Sequence, residues 1–104
     1  MVDFGDPVGH ERGYRSLAVV ISADRLNRSA AGLAIVVPLT TTRRDLPSHV
    51  ELEPGETGLQ RTSYAKVEDL KSVSTARLTR LLGTAPPAAV HRIGRIVSML
   101  LDLP

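Results

Sequence analysis

The chain has no cysteine, no tryptophan and only three aromatic residues among 104: Phe4, Tyr14 and Tyr64. Without thiols, a disulfide framework, a thiolate zinc site and a cysteine nucleophile are excluded. The three histidines, at 10, 49 and 91, are far apart in sequence, and none has a second ligand at metal-site spacing. Neither a metal nor another cofactor is expected. No apolar run approaches the length of a membrane-spanning helix, and the segment Met1 to Asp6 lacks the basic and apolar regions of a signal peptide. The expectation is a cytoplasmic protein with no membrane partner. Lysine is scarce too: the 13 basic residues are two Lys and eleven Arg, giving a net charge of only +2. So small a charge does not announce a polyanion partner by itself. Arginine does suit bidentate phosphate recognition and stacking, although genomic base composition produces the same bias.

What is present fits one domain over residues 1–104. A chain of this length buries roughly two-thirds of the surface it exposes when unfolded, enough for one modest core. The apolar fraction of 42% and charged fraction of 23% are ordinary for a globular protein. The stretch around which the chain is organised is Leu33 to Thr42. Its β-branched run Ile35-Val36-Val37 predicts a strand covered on both faces, and the hydroxyls from Thr40 onward mark where it leaves the core. Pro38 lacks an N–H, which predicts an edge position or a bulge.

Before that stretch, residues 1–15 read as the stub of a strand followed by a long loop, and Leu17 to Ile21 as a central strand. Ser22 is positioned to cap a short helical turn ending at Asn27. After it, His49 to Glu53 alternates as a half-exposed strand does, and Pro54 to Gly58 makes a turn. Strands are expected over Gln60 to Val67, Asp69 to Val73 and Leu78 to Leu82, with a turn at Ser74 to Arg77. A terminal helix follows Pro86-Pro87, with Val90, Ile93, Val97 and Leu100 as its apolar stripe, widened by Ala89, Ile96 and Leu103. His91, Arg92 and Arg95 fall on its solvated side, and Gly94 suggests close packing. The fold class is therefore mainly β with a C-terminal helix (α+β): a small antiparallel barrel with one helix packed on it.

Gly9-His10-Glu11 with Arg15, followed by Val37-Pro38-Leu39-Thr40-Thr41, then Gly58-Leu59 leading to Glu68-Asp69-Leu70-Lys71-Ser72, resembles the MazF/PemK family of toxin endoribonucleases. The resemblance runs nearly end to end. It implies an SH3-like barrel of the CcdB/PemK type; Val2-Asp3-Phe4 corresponds only to the end of the family's first strand, so either the barrel lacks part of that edge strand or the recorded start is late. The family's proline after the arginine is Ser16, and its Asp-Gln is Glu68-Asp69. The resemblance further implies a homodimer that lays single-stranded RNA across its interface and leaves a 2′,3′-cyclic phosphate. It implies a MazE-like antitoxin whose C-terminal tail occupies the same groove.

Metal-free cleavage of RNA needs a base for the 2′-hydroxyl proton, an acid for the departing 5′-oxygen, and donors around the phosphorus. The forked, permanently charged donors of Arg15 match phosphoryl oxygens, and Thr40 can donate a hydroxyl hydrogen bond. The resemblance makes this pair the catalytic core. His10 and Glu11 are the assisting acid or base, or else they shape the loop and hold RNA. Tyr14 is the stacking candidate, whereas Phe4 and Tyr64 are expected in the core. Thr41, Arg43 and Arg44 border the RNA groove in this reading, and Lys66 and Glu68 lie on the sheet surface as further RNA contacts. Two rivals share the fold: a gyrase poison resembling CcdB, disfavoured by the missing C-terminal tryptophan, and a catalytically silent module that binds RNA or antitoxin.

Overall fold

The computed structural model describes residues 17–104 and the backbone of residues 2–3. His10, Glu11, Tyr14 and Arg15 lie outside the described residues, as does Phe4. The strands are β1 (Val2–Asp3), β2 (Leu17–Val20), β3 (Leu33–Thr40), β4 (His49–Leu52), β5 (Ser63–Lys66), β6 (Lys71–Ser74) and β7 (Arg80–Leu81). The helices are α1 (Asp24–Asn27) and α2 (Pro87–Leu100), with single 3-10 turns at Val67–Asp69 and Thr75–Arg77.

All described pairings are antiparallel, in the order β4-β5-β3-β2-β1-β7, with β6 also on β3. The expected mainly-β fold with a terminal helix is what forms. Among the described residues no ladder joins β7 to β4, so the barrel is open. The short β1 is enclosed between β2 and β7. The strands expected over Gln60 to Val67 and Asp69 to Val73 are shorter than their patterns suggest, in part because Val67–Asp69 forms a 3-10 turn between them, whereas the Thr75–Arg77 turn falls where a turn is expected. The first of these turns is tied down when the Val67 N–H donates to Ser48 O at 3.1 Å and the Leu70 N–H to Val67 O at 3.1 Å.

β3 is an inner strand, paired along both edges. One edge pairs with β2, while the other is shared by β6 along Leu33–Val36 and by β5 along Leu39–Thr40. Pro38 thus lies neither on an outer edge nor in a bulge of the β2 ladder, which runs unbroken from Pro38 to Val36. The Ile21 N–H bonds to Ile35 O and the Thr75 N–H to Gly32 O, so odd residues of β3 turn their amides towards β2 and even ones away. The missing N–H of Pro38 therefore faces the break where β6 gives way to β5, and no ladder bond is lost there.

Alternation along β3 gives the sheet two buried faces. Val37 joins Val19, Val50, Leu52, Ala65 and the α2 residues Ile93 and Ile96 in the main core. Val36 joins Ala18 and Val73 in a smaller cluster on the opposite face, backed by Val20 and Leu78. Ser22 does not cap α1, whose N-cap is Ala23 with no side-chain bond. Its hydroxyl instead donates to Asn27 Oδ1 and accepts from the Ile35 N–H at 3.0 Å, pinning the connection to β3.

Proline occupies the first turn of α2 as expected, yet the buried stripe is narrower than the pattern suggests. Ile93 and Ile96 are buried and Ala89 and Val97 pack beside them, whereas Val90, Leu100 and Leu103 are exposed. The cause is placement: the helix meets β4 and the Val67–Asp69 turn at the end of the sheet, so only one narrow face is covered. Close packing does not account for Gly94, since a Cβ there would meet nothing within 4 Å. Gly94→Ala should accordingly stabilise the protein by about 0.5–1 kcal/mol through helix propensity. Urea unfolding checks this, and a lower midpoint in the variant would contradict it.

Candidate functional site

The even face of β3 is sealed at Val36 and open beyond it. Thr40 is the last residue of the strand on that open face, half-buried, and sits directly opposite Tyr64 of β5, which in turn sits opposite Glu51 of β4. Directly opposed residues share a face, so Thr40, Tyr64 and Glu51 form one row across three strands. Lys66 and His49 form the next row on the same face. Tyr64 is therefore not in the core as the sequence suggested. It is half-buried on the open face, while its neighbours Ser63 and Ala65 point into the protein.

Beyond Thr40 the chain turns at once. Thr40 Oγ1 accepts a hydrogen bond from the Thr42 N–H at 3.1 Å, the short-range bond by which hydroxyl side chains start turns. Thr41, Arg43 and Arg44 are exposed on the loop that follows. Arg43 Nε donates to Asp45 Oδ1 at 2.8 Å. Asp45 has a φ of 53°, a left-handed conformation that short polar side chains tolerate. The hydrogen bond and charge of Asp45 hold the Arg43 guanidinium still more firmly protonated.

His49 departs most from the alternation expected of β4. It is buried at 8% exposure rather than turned to solvent. The Val67–Asp69 turn carries Glu68 over it, so that His49 Nε2 and Glu68 Oε2 are 3.0 Å apart while the Ser48 hydroxyl donates to Glu68 Oε1 at 2.8 Å. Its other ring nitrogen, Nδ1, is buried without a hydrogen-bond partner. Desolvation pushes the Glu68 carboxyl up, but the hydrogen bonds from Ser48 and His49, its own backbone N–H and the His49 charge outweigh it and hold it below its ordinary value. Lys66 Nζ pairs with Asp69 Oδ2 at 3.2 Å, a partly exposed pair of small energetic consequence.

A depressed carboxyl in the folded state contributes stability above the unfolded pKa of about 4.3, and loses it as pH falls through the folded value. Glu68→Gln should therefore unfold more easily than wild type at pH 7, by less than about 1 kcal/mol because the side chain is 37% exposed. In urea melts this gap should close as the pH falls through the folded-state value. A gap that widens in acid would contradict the linkage.

Alongside these rows runs a groove of about 670 Å³, walled by Tyr64, Glu51 and His49 of the sheet, Arg43 and Asp45 of the loop, and Pro86, Ala89 and Arg92 at the start of α2. Beside it, the neighbouring Glu53 carboxyl pushes Glu51 up through hydrogen bonding and charge, whereas hydrogen bonding from Thr62 and Glu51 holds Glu53 down. Of the expected site residues, the structure brings Thr40 into one row with Tyr64 and joins Glu68 to Ser48 and His49. Lys66 lies in the adjacent row, Arg43 borders the groove, and Thr41 and Arg44 do not line it. His49, Glu51 and Arg92 were not anticipated there. Only the alternation that sets His49 and Glu51 on one face hinted at two of them, and nothing in the sequence brings α2 to that face. Among the described residues no group of three or more His, Asp or Glu is placed to hold a metal ion, and no helix is long and apolar enough to cross a membrane.

The family model for the PemK-like, MazF-like toxin of type II toxin–antitoxin systems matches residues 1–101. The chain belongs to this family. Among similar relatives of this toxin, endoribonuclease MazF9 of Mycobacterium tuberculosis is 34% identical over 98% of this chain and 91% of its own. The probable endoribonuclease MazF5 of the same organism is 36% identical over 85% of this chain and 80% of its own. Among solved structures, an endoribonuclease in complex with its cognate antitoxin from a mycobacterial species superposes with a TM-score of 0.74 at 26% identity, covering 93% and 87% of the two chains. MazF from Deinococcus radiodurans superposes with a TM-score of 0.73 at 25% identity, covering 98% and 90%. The resemblance read from the Gly9-His10-Glu11 and Val37–Thr41 segments of the toxin is thereby established at the level of the family.

Proposed function

We propose that this toxin is a metal-independent endoribonuclease that cuts single-stranded RNA, acts as a homodimer and is held in check by a MazE-like antitoxin. Its relatives' names and the antitoxin complex of a structural neighbour support the reading. The observation that carries it to particular atoms is Thr40. Its Oγ1 accepts from the Thr42 N–H, which leaves the hydroxyl proton to be donated outward from the open end of β3.

In this reaction the 2′-oxygen gives its proton to a base and attacks the neighbouring phosphorus. The 5′-oxygen leaves with a proton from an acid, producing a 2′,3′-cyclic phosphate and a 5′-hydroxyl. Thr40 donates to a non-bridging oxygen, and Arg15 supplies a fork of donors and a fixed positive charge to the same phosphoryl group. His10 and Glu11, five and four residues ahead of Arg15, are the proton-transferring candidates.

The test is incubation of the purified protein with a long mixed-sequence single-stranded RNA in EDTA, followed by mapping and chemical typing of the ends. Discrete cuts carrying cyclic phosphates are expected. Intact RNA after incubation with folded protein would contradict the proposal and favour a module that binds RNA without cutting it.

A further inference from the structure

The groove beside Tyr64 is not needed for the phosphoryl chemistry just assigned, yet it is built in register with it. Tyr64 stands one strand away from Thr40, about 5 Å in the hydrogen-bonding direction, and the groove opens on the far side of that ring. One aromatic face, two guanidinium groups from separate elements (Arg43 and Arg92) and a polar wall with hydrogen-bonding capacity (Glu51 and His49) converge there. We propose that this groove is a subsite for the unpaired nucleotide next to the scissile phosphate, with Tyr64 stacking on the base and Arg92 and Arg43 taking the adjoining phosphate. The proposal rests on the endoribonuclease reading above and adds to it a residue that selects sequence.

Three features fit a nucleotide. Every base offers a π-face, so one tyrosine can hold it irrespective of sequence, while the polar wall reads its edge. Asp45, the acidic group of the loop, is bonded through one oxygen to Arg43 Nε, which mutes its repulsion and leaves the other guanidinium donors of Arg43 for a phosphate. Continuity with the Thr40 row favours RNA over a peptide as occupant, since a strand threaded past Thr40 reaches Tyr64 next.

The test compares wild type with Tyr64→Ala, Tyr64→Phe and Arg92→Ala. The readouts are cut-site mapping on mixed-sequence RNA and, independently of cleavage, binding of single-stranded RNA followed by fluorescence polarisation across a salt series. Tyr64→Ala should lower kcat/KM and weaken binding by about tenfold to a hundredfold, and should relax base preference at one position beside the cut. Tyr64→Phe should retain both. Arg92, exposed on α2, can be replaced without disturbing the core, and Arg92→Ala should make the salt dependence of log K shallower by about 0.7. Unchanged binding and cut pattern in folded Tyr64→Ala would overturn the subsite, including the case where these variants lose only their grip on an antitoxin peptide. RNA binding lost in Tyr64→Ala while wild type itself cuts nothing would uphold the groove and reject the nuclease reading.

Discussion

Arg15→Ala is expected to slow RNA cleavage by about 10²–10³-fold, the loss typical of removing one preorganised donor from developing charge, while leaving the unfolding midpoint unchanged. The penta-coordinate phosphorane carries more negative charge on its non-bridging oxygens than the diester does, so a guanidinium fork aimed at them acts chiefly in the transition state. Arg15→Lys keeps the charge but loses the planar fork, and should fall between the two. Thr40→Val, which removes a hydroxyl at nearly constant shape, should cost about tenfold to a hundredfold, the value of one hydrogen bond to a charged group. Single-turnover rates on an oligonucleotide bearing one mapped cut site measure all three. A folded Arg15→Ala protein cutting at the wild-type rate would remove Arg15 from the mechanism.

The second large effect is on the fold itself. Gly58 has a φ of 77°, and a Cβ built on it would stand 2.2 Å from the Leu82 carbonyl oxygen and 2.7 Å from its carbon. Neither side of that contact is able to yield. The Thr57 hydroxyl donates to Glu53 O at 2.8 Å and accepts from the Leu59 N–H at 3.1 Å, while the Thr84 N–H donates to Glu56 O at 2.9 Å, locking the turn against the segment that enters α2. Gly58→Ala adds left-handed strain of about 1–2 kcal/mol to the displacement of a backbone, and should destabilise by more than about 3 kcal/mol. Against a total of about 5–15 kcal/mol for an ordinary domain, that leaves a marginal fold. Urea melts decide the matter: a variant within 1 kcal/mol of wild type would mean the turn is far softer than its hydrogen bonds imply. The same substitution at Gly94, where a Cβ meets only open space, should have the opposite sign.

Periodicity made the architecture legible wherever one face of an element is buried. The β-branched run of β3, the alternation of β4 and the proline-led start of α2 all located their elements. It failed where tertiary contacts override local pattern. Ser22 looks like a helix cap, but its hydroxyl satisfies the Ile35 amide thirteen residues on, a contact that depends on how the chain doubles back. Pro38 looks like an edge residue, and only the handover from β6 to β5 explains how an inner strand tolerates it. In the site, the Thr40 hydroxyl was legible as the end of an apolar run. The displacement of Tyr64 to the open face was not, because assigning an isolated aromatic residue in a short strand requires the register with Thr40. Nor was the burial of His49, which depends on a 3-10 turn eighteen residues later folding Glu68 over it.

The central claim is that the RNA's own 2′-hydroxyl is the nucleophile, activated at a phosphate held by Thr40 and Arg15. The most direct measurement uses an oligoribonucleotide carrying a mapped cut site, synthesised with a single 2′-deoxy substitution on the nucleotide 5′ to the scissile phosphate and incubated in EDTA. Cleavage at that site should disappear while an unmodified site in the same molecule is still cut. Continued cleavage at the substituted position would mean that water or another nucleophile attacks the phosphorus, and that the mechanism assigned to this toxin is wrong.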